Sequence, residues 1–266
     1  MAHIHPSSVV DPKAELADDV EIGPFCTVGP NVKIGAGTRL ISHVVVDGYT
    51  TMGERNLVYP FAALGCLAQH KRSNAPDAVL VIGNDNTFRE HVTAHVGSDV
   101  DHKITTIGNR NLFLVASHIA HDCVLGDDIV MSNNVMLAGH VHVESKATIG
   151  GGAGVLQFTR IGEGAMIGGL AGVTQDVIPY GLVFPGNRAA LVGINQIGLK
   201  RAGVPQEQID VLRKAYRVLF NRESNLVFAD RIAELEKDST YLENPLVQKV
   251  IPFLKNPSKH GILQPE

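Results

Sequence analysis

Residues 22–39 read IGPFCTVGPNVKIGAGTR, three successive hexads that each open on Ile or Val. An apolar residue, aliphatic at almost every position, recurs at every sixth residue from 4 to 64 and again from 107 to 173, with a shorter run at Ile82 and Phe88. A period of six fits neither the alternation of an ordinary strand nor the 3.6-residue repeat of a helix. It is typical of the hexapeptide class of parallel β-helix.

Each hexad places one aliphatic residue inward and follows it with turn formers and polar residues. Three hexads make one triangular coil, so residues eighteen apart are expected to stack. About twenty-six hexads give roughly nine coils, and the spacing of neighbouring strands makes a prism on the order of 40 Å long. Glycine and asparagine are expected to supply the positive φ of the corners.

Two segments break the period, residues 66–81 and residues 97–105, and are predicted to leave the prism as loops. Loops on a rigid scaffold often carry binding groups, although tolerated insertions would look the same in sequence.

The period fades after residue 173, and the pattern becomes helical. Pro205, Ser224 and Pro245 are each expected near the start of a helix. The predicted organisation is a hexapeptide-repeat β-helix over residues 1–189 and an α-helical C-terminal domain over residues 190–266.

The bulk composition narrows the function. The net charge is −4, aromatic residues make up 5% of the chain and Trp is absent, which argues against a nucleic-acid partner. Cys26, Cys66 and Cys123 are too few for a disulfide framework and are expected to be free thiols. No secretion signal and no stretch of ~18 apolar residues is evident. We therefore expect a soluble, cytoplasmic protein without a membrane span.

Histidines cluster in the segments SHIAHDCVLG and LAGHVHV, which contain His118, His121, His140 and His142. His140 follows His121 by nineteen residues, about one coil, so both should lie on the same outer face. A solvent-accessible neutral imidazole is the commonest general base near neutral pH. Asp122 could orient the ring of His121, but successive strand residues point apart, so this contact needs a corner or a neighbouring subunit.

The residues alone also allow two other interpretations of this histidine cluster. Surface histidines are often merely solvated, and His118, His121 and His140 could supply three imidazoles to a zinc ion. The sequence contains no GxSxG, P-loop, HExxH or CxxC motif. This argues against the usual serine hydrolases, nucleotide triphosphatases, zincin metalloproteases and dithiol redox proteins.

Together with QDVIPYGLVFPGN and GINQIGLKRAG, these segments resemble the UDP-N-acetylglucosamine O-acyltransferases that start lipid A biosynthesis, over essentially the whole chain. The resemblance implies a left-handed parallel β-helix with a small helical C-terminal domain, an exception to the usual right-handed crossover. It also implies a homotrimer with active sites between subunits. The expected reaction moves a 3-hydroxyacyl group from acyl carrier protein to the glucosamine 3-hydroxyl of UDP-N-acetylglucosamine. No cofactor or metal is implied beyond the thioester co-substrate.

The resemblance also assigns site residues. His121 becomes the general base, Asp122 its orienting partner, and the backbone N–H of Gly139 the donor to the oxyanion, a contact worth roughly 3–4 kcal/mol. A glycine at the family's acyl-length ruler position, residue 169, implies an open groove and a long chain. The residues expected to bind substrate are His118, His140, Gln157, Gly169, His70, Arg72, Arg188, Asn195 and Arg201.

The chain departs from the family pattern where the acceptor is expected to bind. Leu156 replaces a histidine, His70 an acidic residue, Ile197 a glutamate and Ala202 an arginine, while Arg72 stands in for a lysine. N-acylation of a related UDP-amino or diamino sugar therefore stays an alternative, as does a solenoid without catalysis. The acyl length and the choice between a hydroxyl and an amine acceptor are left open.

An acyl carrier protein is acidic, so docking requires a local positive field on this acidic chain. The helical tail offers one, although a solvated helix face would look the same. The residues expected to form it are Lys200, Arg201, Arg213, Lys214 and Arg217.

Overall fold

The computed structural model describes residues 1–186 and 189–265. Short strands dominate the described residues. The first nine are β1 (His3–Ile4), β2 (Val9–Val10), β3 (Glu15–Leu16), β4 (Glu21–Ile22), β5 (Thr27–Val28), β6 (Lys33–Ile34), β7 (Arg39–Leu40), β8 (Val45–Val46) and β9 (Tyr49–Met52). The next nine are β10 (Leu57–Val58), β11 (Ala63–Cys66), β12 (Val79–Ile82), β13 (Thr87–Phe88), β14 (Thr93–His95), β15 (Ile104–Ile107), β16 (Leu112–Phe113), β17 (His118–Ile119) and β18 (Val124–Leu125). The last ten are β19 (Val130–Met131), β20 (Met136–Leu137), β21 (His142–Val143), β22 (Thr148–Ile149), β23 (Gly154–Val155), β24 (Arg160–Ile161), β25 (Met166–Ile167), β26 (Gly172–Val173), β27 (Gly181–Phe184) and β28 (Ala190–Ile194).

Successive strands fall on three faces in turn. Sheet A holds β1 and every third strand to β25, then β27 and β28; sheet B runs from β2 to β26, and sheet C from β3 to β24. Pairing up to β27 is parallel, and His3 pairs with Glu21, eighteen residues later. The nine parallel strands of sheet B correspond to nine coils. This is the left-handed parallel β-helix that the resemblance implied.

The aliphatic residue of each hexad fills the prism interior. Ile22, Phe88 and Ile119 are each at most 2% exposed. Phe88 and Phe113 lie on neighbouring strands with their ring centroids 5.0 Å apart. Each such side chain contributes about 1.5–3 kcal/mol through burial, so the six-residue period accounts for the core directly.

The corners are built differently from our expectation. Positive φ occurs at seventeen non-glycine residues of the described chain, among them Phe61, Asp122 and His140, and only one of the seventeen is asparagine. Most of their amides bond to the preceding coil, as His140 N does to the carbonyl oxygen of His121 at 3.0 Å. Stacking of the coils thus holds side chains in a conformation that costs about 1–2 kcal/mol each.

We name each corner by the two sheets that it joins in chain order, AB, BC and CA. The CA corner contains a buried ladder of asparagines that the sequence reading missed. The Oδ1 of Asn56 accepts from Asn86 N, and the Oδ1 of Asn86 accepts from Asn111 N, both at 2.9 Å. Asn86 Nδ2 also donates to the carbonyl oxygen of Gly108. The ladder satisfies backbone groups that the turn leaves unpaired.

The breaks in the period are insertions at one corner. Leu57 pairs with Thr87, an offset of 30 residues instead of 18, so 12 residues are inserted. Thr87 pairs with Leu112, an offset of 25 that corresponds to 7 inserted residues. The loops, residues 67–78 and 96–103, both connect sheet B to sheet C. They therefore lie at the BC corner, on the same edge as the histidine segments.

The chain leaves the prism through an antiparallel hairpin of β27 and β28. Residues 190–194, assigned to the helical part by the sequence pattern, thus form a strand. The helices are α1 (Gln196–Arg201), α2 (Gln206–Leu219), α3 (Phe228–Leu235), α4 (Ser239–Leu242) and α5 (Val247–Lys255). Pro205 precedes α2 as predicted. Ser224 does not cap α3, because Val227 holds the N-cap position and the Ser224 hydroxyl accepts from Leu226 N.

The C-terminal tail returns to the prism. The guanidinium of Arg160 pairs with the buried carboxylate of Asp176 at 2.7 Å and lies over the ring of Phe253 from α5. Asp176 also forms backbone bonds to Gly261 and Leu263 on either side of a β-bridge. These contacts bring residues 259–260 back to the BC corner. None of the helices described here has the length and apolarity to cross a membrane.

Candidate active site

The centre of the site is the turn that joins β17 to β18. His121 and Asp122 occupy this BC corner, and Asp122 has a φ of 60°. The left-handed corner turns the two consecutive side chains toward each other, so His121 Nδ1 lies 2.8 Å from Asp122 Oδ2. The corner supplies within one chain the contact that a flat strand would forbid.

The Asp122 carboxylate is fixed by the preceding coil, through the shorter inserted loop of residues 96–103. It accepts from the backbone N of Ser98 at 3.0 Å and from the Ser98 hydroxyl at 2.6 Å, while Asp122 N donates to Thr105 Oγ1. Burial acts to raise the pKa of Asp122, but the hydrogen bonds from His121 and Ser98 outweigh it and hold the pKa below its ordinary value. Asp122 is therefore an anion that presents a fixed acceptor to His121.

Gly139 lies one coil further along the same corner, directly against the imidazole of His121. A Cβ at this position would stand 2.5 Å from His121 Cε1 and 2.8 Å from Nε2, so any side chain would displace the ring. Within residues 1–186 and 189–265, the Gly139 N–H has no hydrogen-bond acceptor. A free backbone donor thus sits beside the imidazole.

His121 is less exposed than predicted. It lies outside the prism core, since the neighbouring Ile119 points inward, but it is only 7% exposed. The loop of residues 67–78 covers it, and the ring of His70 meets it edge-on with centroids 5.4 Å apart. The expectation of an open surface site was wrong, because both inserted loops fold over the corner that carries the histidines.

His140 occupies the next BC corner and is held on several sides. Its Nδ1 lies 2.7 Å from Asp101 Oδ2, and its Nε2 lies 3.9 Å from Asp122 Oδ2. Its ring stacks on Phe158 at 4.3 Å and meets the ring of His121 edge-on at 5.1 Å. Five side chains of three coils and one loop thus form a single packed cluster.

His118 faces a groove on sheet B next to this cluster. Its Nδ1 lies 2.8 Å from the hydroxyl of Thr93, and its ring meets that of His95 edge-on. Burial, reinforced by the nearby imidazoles of His95 and His121, lowers the pKa of His118 and favours a neutral ring. The arrangement supplies a polar but uncharged wall to the groove.

The groove runs from His118 along the outer face of sheet B, with a volume of about 700 Å³. Its floor is Met136, Gly154 and Gly172, at equivalent positions of successive strands. No atom lies within 4 Å of a Cβ built on either glycine, so the floor is open. Leu156 lines the wall. The groove is mainly apolar and suits a hydrocarbon chain.

The remaining predicted residues divide into those near the cluster and those far from it. Gln157 lies at the BC corner, where its carbonyl oxygen accepts from His260 of the tail. Arg72 is exposed on the covering loop. Gly169 lies on the AB corner above Gly151. Arg188 falls outside the described residues.

Asn195 and Arg201 are associated with a third corner. Asn195 caps α1 by accepting from Gly198 N, and its Nδ2 donates to the carbonyl oxygen of Gly164 on the CA corner. Both ends of this amide are therefore engaged. Arg201 lines the same 360 Å³ cavity as Asn195. Within one chain, the predicted substrate residues thus lie along three different edges of the prism.

The predicted basic patch is partly formed. Lys200 and Arg201 end α1, and Lys214 and Arg217 are exposed on α2. Arg213 is half-buried, with its guanidinium 3.7 Å from Asp210.

The structure separates the imidazoles that a zinc ion would need. His118 Nδ1 contacts the hydroxyl of Thr93, and His118 is not part of the group whose ligand-type atoms lie close together. The group with ligand-type atoms within 4.8 Å of one another is His121, Asp122 and His140. His121 and Asp122 are 2.8 Å apart, whereas two ligands of a tetrahedral zinc stand about 3.3 Å apart. The pair has the geometry of a hydrogen bond.

Sequence reasoning missed several members of the site. Ser98, Asp101 and Thr105 reach it from the second inserted loop and the strand after it, and Lys259 lies over the Phe158 ring at 3.1 Å. The only signal for the loop residues was that their segment interrupts the hexads just before the histidine segments.

Comparisons with known proteins identify the family of the chain. The family described as Udp N-acetylglucosamine O-acyltransferase, domain 2, matches residues 176–263. An acyl-[acyl-carrier-protein]–UDP-N-acetylglucosamine O-acyltransferase of Sinorhizobium fredii is 44% identical over 265 residues, 99% of this chain and 96% of the relative. The corresponding protein of Thermodesulfovibrio yellowstonii is 43% identical and covers 98% of this chain and 99% of its own. The crystal structure of UDP-N-acetylglucosamine O-acyltransferase from Moraxella catarrhalis superposes with a TM-score of 0.92 at 41% identity, over 98% of this chain and 99% of that one. The chain therefore belongs to the UDP-N-acetylglucosamine O-acyltransferase family.

Proposed function

We propose that this protein transfers a 3-hydroxyacyl group from acyl carrier protein to the glucosamine 3-hydroxyl of UDP-N-acetylglucosamine, the first step of lipid A biosynthesis. The observation that carries the proposal is the His121–Asp122 pair, packed against the backbone of Gly139 beside an apolar groove. The names of the full-length relatives support the same reaction.

The chemistry follows from the positions of these groups. His121, oriented through its Nδ1 by Asp122, takes the proton of the sugar hydroxyl on Nε2, and the oxygen attacks the thioester carbonyl. The N–H of Gly139 donates to the tetrahedral oxyanion. Collapse breaks the carbon–sulfur bond, and the leaving thiolate takes the proton from His121. The ester product and free thiol balance the reaction without a cofactor.

The sheet B groove is proposed to hold the acyl chain. Its floor of Met136, Gly154 and Gly172 leads away from His118, and Leu156 adds an aliphatic wall. Burial of each methylene contributes about 0.8 kcal/mol, so a long chain would gain several kcal/mol here.

A homotrimer would complete the site. Gly169, Asn195 and Arg201 are assigned to substrate binding by the resemblance, yet they lie on edges other than the one carrying His121. A neighbouring copy that places its AB or CA edge against the BC corner would add the residues of that edge to the site. Sedimentation equilibrium should give three times the chain mass; a monomer with full activity would contradict this part of the proposal.

We place the reaction in the cytoplasm. Cys26, Cys66 and Cys123 are free thiols, as expected for a reducing compartment. Burial raises the pKa of Cys123 to about 12, so this thiol is inert and takes no part in the transfer.

The experiment that tests the function is a product analysis. Purified protein is incubated with a pool of 3-hydroxyacyl and unsubstituted acyl carrier protein thioesters, together with UDP-N-acetylglucosamine and its 3-amino analogue, and products are identified by mass spectrometry. We expect an ester of UDP-N-acetylglucosamine as the main product. A predominant amide would establish the N-acyltransferase alternative, and no product with any pair would refute acyl transfer.

A further inference from the structure

A row of alternating imidazoles and carboxylates runs from solvent to His121. His102 Nδ1 lies 3.0 Å from Asp101 Oδ1, and Asp101 Oδ2 lies 2.7 Å from His140 Nδ1. His140 Nε2 faces Asp122 Oδ2 at 3.9 Å, and Asp122 Oδ2 contacts His121 Nδ1 at 2.8 Å. The exposed fraction of the side chain falls from 72% for His102 to 9% for His121.

The proposed reaction uses His121 and Asp122 of this row and gives no role to Asp101. Asp101 lies in the inserted loop of residues 96–103 and crosses 39 positions of sequence to reach His140. The contact holds Nδ1 of His140 against Asp101, and this leaves Nε2 facing Asp122. The base of the same loop is tied to Asp122 by Ser98. One loop thus contacts both imidazole corners of the site.

The charged and titratable groups around His140 make this contact consequential. Asp101 and Asp122 face its two nitrogens, and His121 meets its ring edge-on. On the opposite side, Phe158 separates the ring from the ammonium of Lys259. Asp101 therefore supplies a negative charge to a cluster that must accommodate an additional positive charge when His121 takes a proton.

We infer that Asp101 is a positioning residue for acyl transfer, which orients His140 and stabilises the protonated His121–Asp122 pair through it. The inference rests on the proposed function. Removing a neighbouring carboxylate lowers the proton affinity of an imidazole, so loss of Asp101 should weaken His121 as a base.

The test compares three variants at Asp101 with a matched control. Asp101→Asn keeps an acceptor for His140 but removes the charge, Asp101→Ala removes both, and Asp101→Glu retains the charge. Asp99→Asn removes a carboxylate of the same loop that bonds instead to Asn74 N. For each protein, kcat, the KM for both substrates and the pH dependence of kcat/KM are measured, together with the unfolding midpoint.

We expect Asp101→Asn to lower kcat about tenfold, to leave both KM values near wild type and to move the acid limb of kcat/KM downward by roughly half to one pH unit. Asp101→Ala should be slower still, and Asp101→Glu should restore the acid limb. The inference is overturned if Asp101→Asn behaves like Asp99→Asn, or if Asp101→Asn changes only the unfolding midpoint. An inactive wild type would instead refute the proposed function, and active wild type with unaltered Asp101 variants would leave that function intact.

Discussion

At the scale of single residues, the site depends on the left-handed conformation of two corner residues, Asp122 and His140. A strand would send His121 and Asp122 to opposite faces, whereas the corner lets adjacent side chains hydrogen-bond. The sequence indicated that such a contact needs a corner, and the corner exists. Ser98 and Asp101 could not be foreseen, because their contacts depend on how an inserted loop folds rather than on the hexad period.

Gly139 offers a sharp test at this scale. Gly139→Ala should displace the His121 ring, because the added methyl would stand 2.5 Å from Cε1. A displacement of about 1 Å costs on the order of 100-fold in rate, so kcat should fall by that order. Steady-state kinetics with acyl carrier protein thioester provide the measurement.

The matched control is Gly151→Ala, where the nearest atom to the new methyl is the Asn133 carbonyl oxygen at 3.3 Å. Gly151→Ala should retain near wild-type kcat. If Gly139→Ala were as active as this control, the tight contact between Gly139 and His121 would have no role in catalysis.

At the scale of elements, the hexad period predicted the strands and their eighteen-residue stacking well, since both follow from burying one residue in six. The corners were predicted poorly, since coil-to-coil hydrogen bonds override the intrinsic preference of glycine and asparagine for positive φ. The helix starts fared unevenly. Pro205 precedes α2, but α3 begins without the Ser224 cap, and β28 forms because its partner β27 lies alongside.

The CA corner provides the prediction for this scale. Asn86→Ala should leave the Asn111 N–H and the Gly108 carbonyl oxygen without their partners inside the protein. Unpaired buried groups cost about 1–3 kcal/mol each, so the free energy of unfolding should fall by about 3 kcal/mol. Denaturant unfolding followed by circular dichroism measures it.

The exposed Asn133 serves as the control, because Asn133→Ala removes the same group from a solvated turn. A loss of stability for Asn86→Ala no greater than for Asn133→Ala would show that the ladder does not stabilise the coils.

At the scale of the whole molecule, the BC edge carries both loop insertions, the histidine corners and the returning C-terminal residues. The C-terminal helices place basic side chains on their exposed surface. Lys214 and Arg217 are suited to an acidic carrier protein. The double change Lys214→Glu and Arg217→Glu should raise the KM for acyl carrier protein about tenfold at low salt, with kcat little changed.

Lys13 and Lys237 are exposed lysines outside this patch, so their reversal to Glu changes the net charge equally. An equal rise in KM for both double variants would mean that total charge, and not the α2 surface, governs docking.

The central claim is that His121 removes the proton of the acceptor hydroxyl. The most direct measurement of this claim is single-turnover acyl transfer by His121→Ala. The control is His142→Ala, which removes an exposed imidazole of sheet C. We predict a 10²–10⁴-fold slower transfer for His121→Ala under conditions where circular dichroism shows it to be folded, and a wild-type rate for His142→Ala. Transfer by folded His121→Ala at the wild-type rate would contradict the account.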